Sequence, residues 1–222
     1  MSRTFAIGDI HGCSLTLVHL LHHVLRIEPG DTLYFLGDTI DRGPDSKGVI
    51  DLILSLKEKG YTIETLRGNH EQLMMDSVQS PEQFMLWMRN GGDATLRSFD
   101  VDTYAELPDT YKQFFESTRH YVETEKHILV HAGLNFSAED IFSDTHAMLW
   151  IRNMETDIAK LGNRIVVHGH TPKPLDFILS QTNTPTVNLD AGCVYKAYPQ
   201  LGNLVALELH THTFFTLPNC EI

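Results

Sequence analysis

The stretch TLYFLGDTIDRG, Thr32 to Gly43, is an apolar run that breaks off into two aspartates and an arginine between glycines. Thr32 to Leu36 reads as a strand, and the cluster Gly37-Asp38-Thr39-Ile40-Asp41-Arg42-Gly43 stands directly at its end. The same order recurs on both sides. Upstream, the short apolar strand Thr4 to Ile7 runs into Gly8-Asp9-Ile10-His11-Gly12. Downstream, Tyr61 to Leu66 alternates as a strand and runs into Arg67-Gly68-Asn69-His70-Glu71. Between these strands, Ser14 to Leu25 has helical apolar spacing at Leu17, Leu20, Leu21 and Val24, and Ser46 to Lys59 is a helix stopped by Gly60. Glu28-Pro29-Gly30-Asp31 is a turn by composition. Two consecutive βαβ units of about thirty residues each account for this order. In such units ligands collect beyond the C-terminal ends of the strands, where the first three clusters lie.

Two further clusters follow apolar runs: His131-Ala132-Gly133 and His168-Gly169-His170-Thr171. The region before them reads as helical. Ser80 with Pro81, Glu82 and Gln83 is a capped helix start, and the run of Phe84, Met85, Trp87 and Met88 ends at Asn90-Gly91-Gly92. That apolar stripe reads as core packing or as a roof beside the site. A second helix follows Leu107-Pro108-Asp109. From Tyr121 the pattern is mostly β, with strands expected at Tyr121–Thr124, Ile128–His131, Ile165–Val167, Thr186–Leu189, Leu204–Leu209 and Thr213–Leu217. No linker or repeat interrupts the 222 residues, so one domain of two packed sheets with helices outside is expected.

Hydrophobic residues at 42% and charged residues at 21% are ordinary for a globular chain. Seventeen basic against twenty-nine acidic residues give a net charge of −12, which argues against nucleic-acid binding, since that needs a basic footprint. No apolar stretch is long enough for a membrane span and nothing resembles a cleaved leader, so a cytoplasmic protein without membrane partners is expected. Three widely spaced cysteines argue against a disulfide framework, with Cys13 and Cys193 as packing residues. His19, His22 and His23 are assigned to an ordinary helix, and His210 and His212 to a C-terminal strand, none of them as ligands.

The clusters carry metal-ligand chemistry. Asp9 and His11, two apart after a strand, share one side of an extended segment. Asp38 leaves the neighbouring strand beside them, and a carboxylate can bridge two cations. Asn69 adds a neutral oxygen, and His131 and His170 add imidazole nitrogen. A mixed N/O set without thiolate suits manganese, iron, zinc or cobalt. Two divalent ions a few ångströms apart acidify a bridging water and clamp a phosphoryl group for in-line displacement by the resulting hydroxide. Arg42 and Arg152 are candidate guanidinium forks for the equatorial oxygens. His70, next to Asn69, is either a general acid held by Asp41 or a third nitrogen ligand. His168 and His170 fall on one strand face, so spacing leaves the choice between them open.

Together the five clusters resemble the metal-dependent phosphoprotein phosphatases of the metallophosphoesterase superfamily. The hallmarks G-D-x-H-G, G-D-x-x-D-R-G, G-N-H-E, H-[AG]-G and G-H-T stand here at Gly8–Gly12, Gly37–Gly43, Gly68–Glu71, His131–Gly133 and Gly169–Thr171. The resemblance runs from Asp9 to Tyr195. It implies an α/β, calcineurin-like fold, an αββα sandwich of two mixed sheets flanked by helices, and a two-metal hydrolase without a covalent phosphoenzyme. It implies that Asp9, His11 and Asp38 hold one metal and that Asp38, Asn69, His131 and His170 hold the other, manganese being the expected ion. By the same match His70 is the acid, Asp41 its partner, Arg42 a phosphate ligand, and His168 a supporting or packing residue. Arg152 matches a W-x-R element of small bacterial members, and Asn188 to Tyr195 resembles the family's late strand and loop, with Tyr195 a neighbour of the site.

His-Ala-Gly places the form nearest compact bacterial and phage serine/threonine protein phosphatases, whose substrates are phosphoproteins or phosphopeptides. The enzymatic alternative is a bis(5'-nucleosyl)-tetraphosphatase, which shares most of these motifs but tends to be longer. A non-catalytic scaffold that docks phosphoproteins and a nucleic-acid phosphodiesterase are weaker readings. The first wastes a complete catalytic set. The second meets an acidic chain. Substrate selection is expected between Glu71 and His131, and the oligomeric state has no signature in the sequence.

Overall fold

Alternation along the short apolar strands decides the layering in this computed structural model, which describes residues 2–222. The strands are β1 (Thr4–Ile7), β2 (Thr32–Phe35), β3 (Thr62–Thr65), β4 (Tyr121–Glu123), β5 (His127–Val130), β6 (Ile165–His168), β7 (Thr186–Asn188), β8 (Asn203–Glu208) and β9 (Thr213–Pro218). Phe5 and Ile7 of β1 pack outward with Leu33, Phe35, Leu17, Ile50 and Ile53. Ala6, pointing the other way, packs with Leu129, Val167, Val187, Val205 and Leu207. In β5 and β6, Ile128, Val130 and Val166 turn to a third layer with Met148 and Leu161. Period two therefore yields an inner core between two sheets and an outer core on each far face.

The first sheet runs β3-β2-β1-β8-β9 and the second β4-β5-β6-β7. The β1–β2, β2–β3, β5–β6 and β6–β7 pairs are parallel, whereas β1–β8, β8–β9 and β4–β5 are antiparallel. Both sheets are thus mixed, and the fold is the expected αββα sandwich.

The helices are α1 (Ser14–His19), α2 (Ser46–Glu58), α3 (Asn69–Asp76), α4 (Pro81–Arg89), α5 (Gly92–Phe99), α6 (Asp109–Glu116), α7 (Thr145–Trp150), α8 (Ile158–Leu161) and α9 (Leu175–Leu179). The first expected helix is present, but α1 passes into a π-helical turn over Leu20–Leu25. Asp45 caps α2 by accepting from Gly48 N, and Ser80 caps α4 by accepting from Gln83 N.

Several helices depart from the sequence expectations. Asn90-Gly91 does end α4, but Gly91 at φ 100° turns the chain directly into α5. The helix α3 begins inside a cluster that reads as loop, because its first turn is polar. In the β-rich half α7, α8 and α9 were not expected; four to six residues are too few to establish a helical period. His210 and His212 lie in the turn between β8 and β9, not on a strand. Cys13 and Cys193 are free and buried, as packing residues should be. Among the described residues no helix is long and apolar enough to cross a membrane.

The C-terminal ends of β1, β2 and β3 lead into the first three clusters, and those of β5 and β6 lead into the last two. Both sheets deliver their loops to one rim.

Candidate metal centre

Backbone hydrogen bonds lash the loops together before any side chain is considered. The N–H groups of Ile10 and His11 both donate to the Asp38 carbonyl, Gly12 N donates to Thr39 O, and Gly169 N donates to His131 O. Glu71, fully buried, gathers four donors: Thr39 N and Oγ1 on Oε1, and Asp38 N and Gly68 N on Oε2, at 2.7–2.9 Å. It thereby holds the second and third loops in register. A Cβ on Gly37 (φ 97°) would lie 2.5 Å from Gly68 N, so only glycine permits that approach. Five of the expected site residues, His11, Asp38, Asp41, Arg42 and His170, have positive φ. Each such conformation costs of order 1 kcal/mol or more and persists only where its surroundings over-determine it.

Two buried triplets have ligand atoms that converge within 4.8 Å: His11, Asp38 and His70, and Asp38, His131 and His170. Asp38 is common to both, the placement of a bridging carboxylate. The tautomers are readable from fixed acceptors. His11 Nδ1 lies 2.9 Å from Ile40 O and His131 Nδ1 lies 2.9 Å from Leu36 O, so each carries its proton there. Their Nε2 lone pairs then face inward. His11 Nε2 lies 3.6 Å from Asp38 Oδ2 and accepts from Arg42 Nη1 at 2.6 Å. His131 Nε2 lies 3.0 Å from Asn69 Oδ1 and 3.5 Å from Asp38 Oδ1, an acceptor facing two acceptors. His170 Nδ1 is 2.9 Å from Asn69 Oδ1, while its Nε2 is buried without a partner among the described residues. Converging lone pairs with an orphaned buried nitrogen are the surroundings a divalent cation fits.

Burial alone would raise the Asp38 pKa, but His131, His70, His11 and the His70 N–H hold it well below the usual carboxylate range. Burial keeps His11 and His170 neutral, His170 down to about 3, with His70 opposing charge on the first and His131 on the second. Asp9 stands outside both triplets. Its oxygens accept the His170 N–H at 3.0 and 3.2 Å, and it packs so closely on Gly169 that a Cβ there would sit 2.0 Å from Oδ1. Burial, Asp190 and Asp38 push its pKa well up. Those surroundings favour a carboxylate that is protonated or paired with a cation.

His70 is the other orphan. Its Nδ1 lies 2.7 Å from Asp41 Oδ2, and its buried Nε2 has no hydrogen-bond partner among the described residues and lies 3.9 Å from Asp38 Oδ2. Burial opposes a charged ring, but Asp38 and Asp41 prevail and raise its pKa. Asp41 is itself clamped: Trp87 Nε1 donates to Oδ1 and Oδ2 at 3.1 and 2.9 Å, and Thr95 Oγ1 donates to Oδ1 at 2.6 Å. Arg42 lies with its guanidinium 5.6 Å from the Tyr195 ring centroid, making Tyr195 a wall of the site. Arg152 follows α7, exposed and without an ion pair among the described residues; its charge opposes protonation of His170. His168 bonds through Nδ1 to Gly169 O, lines the cavity at Arg152 and belongs to neither triplet, whereas His170 belongs to the second.

Sequence reasoning missed Glu71, Thr95 and Asp190, and placed Trp87 only in an apolar stripe that packs in the core or roofs the site. Glu71 stood within a quoted cluster, and Asp190 within the late loop. Burial raises the Asp190 pKa to about 7. Thr95 carries no local signal and Trp87 none beyond its apolar stripe, because α4 and α5 bring them to Asp41 from about fifty residues away.

A family model described as calcineurin-like phosphoesterase matches residues 2–212. The chain is 45% identical over 92 residues to serine/threonine-protein phosphatase 1 of Salmonella typhimurium, covering 41% of this chain and 39% of that one. It is 27% identical over 243 aligned positions to the asymmetrical bis(5'-nucleosyl)-tetraphosphatase PrpE of Halalkalibacterium halodurans, covering 96% and 92%. A crystal structure provisionally named a diadenosine tetraphosphatase has a TM-score of 0.71 over 100% of this chain and 95% of its own, at 20% identity, which shows the fold alone. The chain spans about half or less of the length of most curated relatives it matches, several of them symmetrical bis(5'-nucleosyl)-tetraphosphatases.

Proposed function

This chain belongs to the calcineurin-like phosphoesterase family, and on that premise we propose that it is a two-metal phosphate monoesterase acting on phosphorylated serine and threonine side chains. The observation that carries the two-metal reading is Asp38, shared by two buried donor triplets. His11 and Asp38, joined by Asp9 from outside the first triplet, would hold one ion, and Asp38, Asn69, His131 and His170 the other, manganese being the expected metal. When bound, the pair supplies Lewis-acid polarisation of the phosphoryl group and acidifies water for attack.

The remaining work falls to the chain. Arg42 and Arg152 reach phosphoryl oxygens as planar donors, matching charge that spreads there as the ester bond breaks. His70 carries its transferable proton on Nε2, because Asp41 engages Nδ1. That proton goes to the departing alkoxide of serine or threonine, whose basicity demands it. Trp87 and Thr95 keep Asp41 aimed at the ring.

Support for an extended peptide substrate comes from two shallow cavities flanking the site, one of about 370 Å³ at Arg42 and one of about 270 Å³ at Arg152. A dinucleoside polyphosphate is the second reading, favoured by the alignment to PrpE over nearly both whole chains. Turnover of phosphoserine peptides against diadenosine tetraphosphate, at matched manganese, decides between them. Cleavage of the dinucleotide alone would sink the protein-phosphatase reading.

A further inference from the structure

The cations in the two flanking cavities are satisfied differently. On the Arg42 side every cation has a polar partner: Arg42 Nη1 donates to His11 Nε2 at 2.6 Å, Arg97 pairs with Asp93 at 2.6 Å and Lys196 Nζ donates to the Glu221 carbonyl at 2.6 Å. On the Arg152 side, Arg152 and Lys173 line one cavity, and among the described residues neither has a carboxylate within ion-pair distance. Glu155 also lines that cavity but pairs with neither. Two cations in one cavity against a single carboxylate, in a chain with twelve more acids than bases, leave a local excess of positive charge beside the centre.

The segment that carries Lys173 is held in place. Its own N–H donates to Asp190 O at 2.9 Å, and Asn188 Nδ2 donates to Thr171 O at 3.1 Å. Pro172 and Pro174 flank it, restricting the backbone on both sides. The ordering entropy of a binding loop is therefore largely spent on folding. Phe177, 49% exposed, gives the same cavity an apolar wall against which methylenes can pack. Ala132 and Thr171, the neighbours of His131 and His170, form its inner edge, so it adjoins the centre.

We propose that Lys173, which lines one cavity with Arg152, forms a subsite for the side-chain carboxylate of an acidic residue flanking the phosphorylated serine or threonine. This rests on the phosphoprotein reading above. Phosphate seated at the metals and Arg152 places the neighbouring peptide residues over this cavity, where an anion meets Lys173. Lys173 selects among substrates and takes no part in bond breaking.

The test is kcat/KM on phosphoserine peptides carrying Glu, Gln or Lys at each of the two positions before and after the phosphoserine. At one flank Glu should exceed Gln by about fivefold, mostly through KM, with Lys below Gln and the preference shrinking as salt is raised. Lys173→Ala should bring the Glu/Gln ratio near one, Lys173→Glu should invert it, and Lys173→Arg should retain it. Peptide turnover with no acidic preference, or a preference that survives Lys173→Ala, overturns the subsite and leaves the phosphatase reading standing. Failure on every peptide with cleavage of diadenosine tetraphosphate overturns both.

Discussion

Glu71 and Trp87 shape the centre from outside it. Glu71 accepts four donors from two loops while fully buried, so Glu71→Gln replaces two acceptor contacts with amide hydrogens facing donors. We expect a loss of about 2–4 kcal/mol in urea unfolding, the range for breaking one side of a buried charged network. Weaker metal binding, read by calorimetry, should accompany it, because Asp38 rides on that loop. At His70 the proton argument makes its own prediction. His70→Asn should lower turnover of phosphoserine peptides by about a hundredfold or more, and turnover of p-nitrophenyl phosphate far less, since that leaving group needs little protonation. Equal losses on both substrates would remove His70 from the acid role and favour its reading as a ligand, which its place in the first triplet allows.

At the scale of elements, the two sheets are tied at the end remote from the metals by His127 on β5 and His212 in the β8–β9 turn. Their Nε2 atoms are 3.2 Å apart. Burial, His212 and Lys126 outweigh Glu208 and hold the His127 pKa at about 4, below its ordinary 6.5. Between those values the unfolded chain binds more protons than the folded one, so stability rises with pH across that window. The contribution is complete above about 6.5 and is lost as pH falls towards 4. Urea midpoints measured through that range should fall with acid, and His127→Asn should flatten the fall. An unchanged slope would show that this junction does not titrate. The βαβ elements were legible because their apolar spacing is strong. The short helices α7, α8 and α9 were not, since packing against the sheets rather than propensity sustains them.

For the whole molecule, the centre gathers Asp9, Asp38 and Asp190 under burial at one rim of the sandwich. Cations held there would offset that repulsion, and only the folded chain brings their ligands together, so stability should rise with their concentration. Dialysis against chelator should lower Tm, and manganese should restore it in a dose-dependent way, whereas Asp38→Asn should blunt the response. A Tm indifferent to metal would contradict a site assembled from these loops. The sequence by itself determined the order of the strands, the helices between the first three of them and, through the five motifs, the family and most of the residues that the structure brings together, because strand periodicity and motif spacing are local and survive in one dimension. Only the tertiary structure decided that His70 rather than Asp9 joins His11 and Asp38 in the first triplet, that Glu71, Trp87 and Thr95 hold the loops and Asp41, and that Lys173 has no counter-charge among the described residues. Those facts arise from contacts between residues tens to more than a hundred positions apart, and no spacing rule along the chain encodes such meetings.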